Sequence, residues 1–206
     1  MDVETLLLLL PIVLVSLTLH ELAHAWTAWR LGDPTARDEG RLSLNPLVHL
    51  DPLGTLMFVI TAYLANLPFG WAKPVPVDPR YFRRAKEGMA LVAAAGPAMN
   101  FACALVCLAL FWHGGFSGRL LEVLEAAYIV NVVLGLFNLI PIPPLDGSRI
   151  VGAVMDDATY GRWVQLDQYG MVIVFGLFFL LRDEFTLLLG DAIDTVTRVM
   201  NVLVLA

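Results

Sequence analysis

Leu17-Thr18-Leu19-His20-Glu21-Leu22-Ala23-His24-Ala25-Trp26 sits inside an apolar run that extends from Val3 to Trp29. Pro11, His20, Glu21 and His24 interrupt that run. About 20 helical residues cross the hydrocarbon of a bilayer, so the run is long enough to span. Ionisable side chains inside a span are costly and mark function. On a helix, positions i and i+4 share a face, so the two imidazoles point the same way, with Glu21 one residue along.

The wider composition agrees with a membrane setting. Hydrophobic residues make up 58 % and charged residues 16 %, and the mean hydropathy is +0.73. Soluble domains run near 45–50 % apolar and about 25 % charged. The chain therefore reads as an integral membrane protein, and its net charge of −6 argues against nucleic acid as a partner. Its 206 residues fit one membrane-embedded domain, 1–206, of roughly five or six apolar segments. Cys103 and Cys107 stand four apart on an apolar stretch and read as small core residues, with no disulfide framework. The opening Met1-Asp2-Val3-Glu4 lacks the basic region of a cleavable signal peptide.

Downstream, a polar stretch from Arg30 to Asp51 contains the breakers Gly32, Pro34, Gly40 and Pro46. Within it, the alternation Arg41-Leu42-Ser43-Leu44 predicts a short strand. The apolar piece Leu53–Leu67, bounded by Pro52 and Pro68, is about 22 Å long as a helix, shorter than the roughly 30 Å hydrocarbon core. Arg30, Arg37, Arg41, Lys73, Arg80, Arg83, Arg84 and Lys86 flank it on both sides. The positive-inside rule places all of them in the cytoplasm, so this piece is expected to dip in and return. Spans are expected at Gly88–Trp112 and Glu122–Pro141, followed by Tyr169–Leu181 and an interfacial Phe185–Ala206. The expected fold is an all-α polytopic transmembrane helix bundle with a short β-strand and re-entrant segment after the first helix. The N-terminus is then outside, and Asp146 arrives near the cytoplasmic side at the depth of His20 and His24.

The spacing His20-Glu21-Leu22-Ala23-His24 is the HExxH pattern, in which two histidines hold a metal and the Glu serves as general base of a metalloprotease. Three further stretches accompany it: Gly40-Arg41-Leu42-Ser43-Leu44-Asn45-Pro46, running on through His49-Leu50-Asp51-Pro52-Leu53-Gly54-Thr55; Ala95-Gly96-Pro97 with Asn100; and Asn138-Leu139-Ile140-Pro141-Ile142-Pro143-Pro144-Leu145-Asp146-Gly147. Together, across about Thr18 to Met155, these resemble the site-2 protease family of intramembrane zinc metalloproteases, in its short prokaryotic branch without an accessory domain. Ser148 departs from the pattern, where a second Gly often follows the Asp-Gly pair.

The resemblance implies one Zn²⁺ per chain held by His20, His24 and Asp146, with Glu21 as base. Catalytic zinc takes three protein ligands plus water, and HExxH supplies two, so the residues themselves also call for a third from another segment. For Asp146 the plain alternative is a cap on the helix that follows. Asn138, and secondarily Asn100, are expected as catalytic donors to the oxyanion, the alternative for both being interhelical hydrogen bonding. Arg41, Leu42, Ser43 and Leu44 are expected to bind substrate by strand addition, the alternative being a surface turn. His49 and Asp51 read as hydrogen bonders that fix their loop rather than as a second metal pair.

The expected activity is hydrolysis of peptide bonds in the transmembrane segments of membrane proteins, as in regulated intramembrane proteolysis. The partners are a transmembrane protein or peptide substrate and the lipid bilayer, and no residue pattern specifies an oligomer. The expected location is the cell membrane, multi-pass, with the active site toward the cytoplasm. The competing functions are a membrane metal-ion transporter, which calls for repeated His/Asp pairs, and a non-catalytic membrane-binding relative, which calls for a missing motif residue.

Overall fold

In the computed structural model, which describes residues 2–65, 69–180 and 182–205, the chain is helical throughout its regular structure. Helix α1 spans Val3–Arg30, the short α2 Thr35–Asp38, α3 Pro52–Ala65, α4 Ala85–His113 and α5 Arg119–Asn138. They are followed by α6 Asp146–Gly152, α7 Asp157–Val164, α8 Gly170–Leu180 and α9 Arg182–Leu205.

Among the described residues, three helices, α1, α4 and α5, are long and apolar enough to cross a membrane. Their ends follow from local chemistry. The Asp2 side chain caps α1 by accepting from the Thr5 amide at 2.8 Å, Glu4 lies in its first turn and Arg30 in its last. At 28 residues, α1 is about 42 Å long, enough to cross and extend beyond the hydrocarbon. The expected spans at Gly88–Trp112 and Glu122–Pro141 match α4 and α5.

Polarity is inverted relative to a water-soluble bundle. Ser16, Thr18, His20, Glu21, His24, Asn100 and Asn131 are buried, while Leu7, Val15, Leu91 and Val106 on the same helices are exposed. That distribution suits an apolar solvent, where interhelical polar contacts are sheltered and the outer face meets lipid tails. The chain is a multi-pass membrane protein. One core cluster joins α4, α5 and α9 through Ala104, Leu108, Tyr128, Val132 and Met200. A second packs Ala28 of α1 and Val92 of α4 around Phe82, which sets the C-terminal end of α1 beside the N-terminal half of α4.

The strand expected at Arg41–Leu44 is not formed, and no strand occurs among the described residues. Local bonds take up its backbone. The Arg41 amide donates to the Ala36 carbonyl at 2.8 Å. The Asn45 amide donates to Ser43 Oγ, and the His49 ring donates to the Ser43 carbonyl at 2.9 Å. Ser and Asn side chains that bond nearby backbone compete with a ladder. Gly40 at φ +69 turns the chain just before this stretch. An alternation of four residues is too short to overcome these partners.

Among the described residues, the one extended pairing is an isolated antiparallel bridge between Leu50 and Ala72. It closes a hairpin whose outward arm is α3. On the return arm, the Phe69 amide donates to Thr61 Oγ1 at 2.9 Å. A Cβ on Gly54 would meet the Trp71 carbonyl at 2.1 Å, and the Lys73 amide donates to the His49 carbonyl at 2.8 Å. The chain therefore comes back to the place where α3 began. The end of the expected Leu53–Leu67 segment lies outside the described residues.

Candidate metal centre

Two turns of α1 and the first residue of α6 build the site. His20 Nε2 and His24 Nε2 are 3.0 Å apart. Asp146 Oδ2 lies 3.3 Å from the first and 3.4 Å from the second. Both histidines are buried. Each ring has its other nitrogen engaged: His24 Nδ1 donates to the Val92 carbonyl at 2.7 Å, and His20 Nδ1 to Asn100 Oδ1 at 2.6 Å. A carbonyl can only accept, so the proton of a neutral imidazole stays on Nδ1 and the Nε2 lone pair is bare. Two bare lone pairs and a carboxylate oxygen then face one point, and Asp146 Oδ2 is buried with no hydrogen-bond donor. Electron pairs gathered in this way repel unless a cation stands between them.

The spacing fits zinc. Ligands about 2.0–2.1 Å from a tetrahedral ion lie roughly 3.3 Å from one another. The three observed separations bracket that value, and the donor set of two histidines and one carboxylate is a zinc set. Packing holds the rings in place. A Cβ on Gly96 would come within 2.5 Å of His24 Nε2 and His20 Cε1, so only glycine lets α4 approach the imidazoles this closely. Gly147 does the same for α6, since a Cβ there would stand 2.1 Å from the Leu139 carbonyl.

Glu21 is buried beside this cluster, and its Oε2 accepts from the Val75 amide at 3.2 Å. It faces a cavity of about 540 Å³ lined also by His20, His24, Asn138, Asp146 and Arg149. A second, apolar cavity of about 290 Å³ lies between α1, α3 and α5. The two share Leu17, Trp71 and Leu134 as wall residues.

The other expected site residues fall into three places. Asn138 lines the metal cavity, with Nδ2 donating to the Leu134 carbonyl of its own helix at 3.0 Å. Asn100 is fully buried behind His20, its Oδ1 taken by that ring and its Nδ2 donating to Asn131. Arg41 to Leu44 form a bent loop in which the buried Arg41 guanidinium donates to the Lys73 carbonyl at 2.6 Å and Leu44 is exposed. His49 donates to Ser43, and Asp51 caps α3 by accepting from the Gly54 amide at 2.7 Å, so both fix their loop. Two residues escaped the sequence reading. Arg149 lines the cavity and pairs with Asp167, and a charge three residues beyond Asp146 was its visible signal. Asn131 was one of two amides in an apolar span, seven residues before Asn138.

Comparison with known proteins bears on the family of this chain. "Putative zinc metalloprotease YwhC" of Bacillus subtilis is 38 % identical over 175 residues, which cover 81 % of this chain and 77 % of that one. The model of peptidase family M50 matches residues 115–182, a stretch that contains Asn138 and Asp146. The chain belongs to peptidase family M50. This M50 chain is also 34 % identical over 171 residues to "Putative zinc metalloprotease Rip2" of Mycolicibacterium smegmatis, covering 78 % of this chain and 62 % of the relative. The Mycobacterium tuberculosis Rip2 protein is 32 % identical over 179 residues, covering 80 % and 64 % respectively. The chain thus spans a little under two thirds of the Rip2 proteins. No solved structure matches it. The resemblance to site-2 proteases is borne out, and zinc is the metal of this metalloprotease family.

Proposed function

We propose that this M50 chain hydrolyses a peptide bond within the transmembrane segment of a membrane protein. His20, His24 and Asp146 are the zinc ligands, and Glu21 is the general base. One observation carries the reading: three ligand atoms converge next to a buried carboxylate on a helix that is itself apolar enough to span. His24 is six residues from Arg30, about 9 Å along the axis, and His20 is about 15 Å from it. A scissile bond brought to these ligands lies below the lipid surface. The apolar cavity that adjoins the metal cavity offers a wall of the polarity of a transmembrane segment.

Bound zinc supplies Lewis acidity, lowering the pKa of water and polarising the scissile carbonyl. The Glu21 carboxylate takes the proton of the attacking water, and the C–N bond breaks as Glu21 returns that proton to the leaving amine. The Val75 amide holds Glu21 toward the cavity. Asn138 donates to the developing oxyanion by exchanging its bond to Leu134 for one to the substrate. A substrate helix must unwind to present its bond, and unwound backbone in lipid needs partners. The bent Arg41–Leu44 loop, joined through His49 to the apolar cavity wall, is the proposed contact for it.

Charge balance favours the same set. Zn²⁺ with ionised Asp146 and Glu21 sums to zero, which limits the cost of placing these groups at membrane depth. The decisive experiment uses the purified chain, a single-span reporter and the Glu21→Gln variant. Cleavage falls at least about 100-fold, the lower end of what a general base contributes, while one zinc per chain is retained. Cleavage at the parental rate overturns the reading, and zinc lost along with cleavage makes Glu21 a structural residue instead.

A further inference from the structure

Behind the zinc ligands, a file of buried amides connects three helices. Asn131 of α5 donates through Nδ2 to the Ala127 carbonyl at 2.8 Å and to Ser16 Oγ of α1 at 2.9 Å. Its Oδ1 accepts from Asn100 Nδ2 of α4 at 3.0 Å. Asn100 Oδ1 in turn meets His20 Nδ1 at 2.6 Å. Ser16, Asn100 and Asn131 are all buried.

The direction of these bonds is fixed from one end. The Ala127 carbonyl has no proton to give, so Asn131 must turn its NH₂ toward it. Flipping Asn131 would set oxygen against oxygen. With Nδ2 committed, only Oδ1 remains for Asn100, which must then present NH₂ to Asn131 and oxygen to His20. An amide oxygen facing Nδ1 demands a proton there. That leaves the His20 Nε2 lone pair free on the side of His24 and Asp146. Imidazole free in water prefers the opposite tautomer, with the proton on Nε2, which cannot bind a metal through that atom. The bond made by one ring nitrogen decides which is free for a metal.

We propose that Asn131 and Asn100 are positioning residues that select the metal-binding tautomer of His20, with the Ala127 carbonyl setting the polarity. Neither touches substrate. Asn131 acts only through Asn100, and Asn100 only through the ring. The proposal rests on His20 being a zinc ligand.

The test compares zinc affinity, by chelator competition on the full chain in detergent micelles, with the tautomer of His20 read from ¹⁵N-histidine NMR of the zinc-free protein. In the parent, His20 carries its proton on Nδ1. In Asn131→Leu and Asn100→Leu, zinc affinity drops about 10- to 100-fold, the usual effect of removing an outer partner of a metal-bound histidine. Asn100→Asp keeps an acceptor opposite Nδ1 and has no amide to flip, but its second carboxylate oxygen would face Asn131 Oδ1, so it is read in the Asn131→Leu background, where that clash is gone. There, Asn100→Asp restores zinc affinity to within a few-fold of the parent. A purely structural role for Asn131 predicts the same loss with and without Asn100→Asp, and that result overturns the proposal. So does a parental zinc affinity in Asn131→Leu, or an Nε2-protonated His20 in the parent. The parental tautomer decides the matter should Asn131→Leu not fold. A parent that binds no zinc at all instead defeats the zinc reading of the site and is distinguishable from each of these.

Discussion

A single methyl group separates Gly96 from alanine, and at this position the difference falls on the metal site. A Cβ added at Gly96 would stand 2.5 Å from His24 Nε2 and from His20 Cε1, closer than any real Cβ contact, so the rings or α4 must move. His24 is tied to Val92 on the same helix and His20 to Asn100, so moving α4 drags both rings with it. Overpacking of this kind costs about 1–3 kcal/mol where the neighbours can relax. Here the neighbours are the proposed ligands, whose separations match zinc to a few tenths of an ångström, so Gly96→Ala is expected to lose zinc more than it loses fold. Zinc content and thermal unfolding measured together check this: stoichiometric zinc at parental affinity in Gly96→Ala would show that the close approach does not constrain the ligands. At this scale the sequence was partly legible. His20, Glu21 and His24 announce themselves by spacing alone, because one helix carries them. Asp146 needed the third-ligand requirement and the motif around it. Asn131 could not be assigned, since its meaning lies in a partner 31 residues earlier and a hydroxyl 115 residues earlier, and apolar helices give no register for such pairs.

Long helices were readable because an apolar run over 20 residues admits few alternatives in lipid. Arg41–Leu44 was misread because period-two alternation over four residues carries less energy than the side-chain bonds that compete for its backbone. Helix α3 is the informative intermediate case. Its 14 residues reach about 21 Å, short of the roughly 30 Å needed to cross upright. The return arm runs back alongside it to the Leu50–Ala72 bridge, so entry and exit coincide. Phe82, near the start of α4, packs on Ala28 near the end of α1, which sets the cationic stretches around α3 on one side. The positive-inside rule predicts that this side is cytoplasmic and that α3 is re-entrant. Single cysteines at Tyr63 and Arg83, tested with an impermeant thiol reagent from each face of oriented vesicles, discriminate the two topologies. The re-entrant arrangement gives no Tyr63 label that is accessible only from the face opposite Arg83. Labels arriving from opposite faces would make α3 a crossing helix and reverse the side on which Asp146 emerges.

At the scale of the whole molecule, the proposed zinc is expected to be part of what holds the bundle together. The proposed ligands come from α1 and α6, and α4 lies against both. Emptied of its cation, the centre retains two carboxylates, Glu21 and Asp146, and two inward lone pairs in a site sheltered from water. Buried charge without a partner is costly, so the zinc-free protein is expected to protonate, hydrate or separate α6 from α1. Zinc that binds only the folded chain stabilises it by mass action, by about 2.7 kcal/mol at a free concentration 100 times the dissociation constant. Chelation should therefore lower the unfolding temperature, and returning zinc should restore it in proportion to the logarithm of its concentration. The loss should be localised: hydrogen exchange is expected to rise first over Asp146–Gly152 and the His20–His24 turn of α1, while the α4–α5–α9 cluster around Val132 stays protected. The Asp146→Asn variant separates the metal's contribution from that of the helices. It removes one ligand and one negative charge, so its unfolding temperature should become nearly insensitive to zinc and lie above that of the chelated parent. An unfolding temperature in the parent that ignores zinc from trace to saturating concentration would mean that the fold neither needs nor senses the cation.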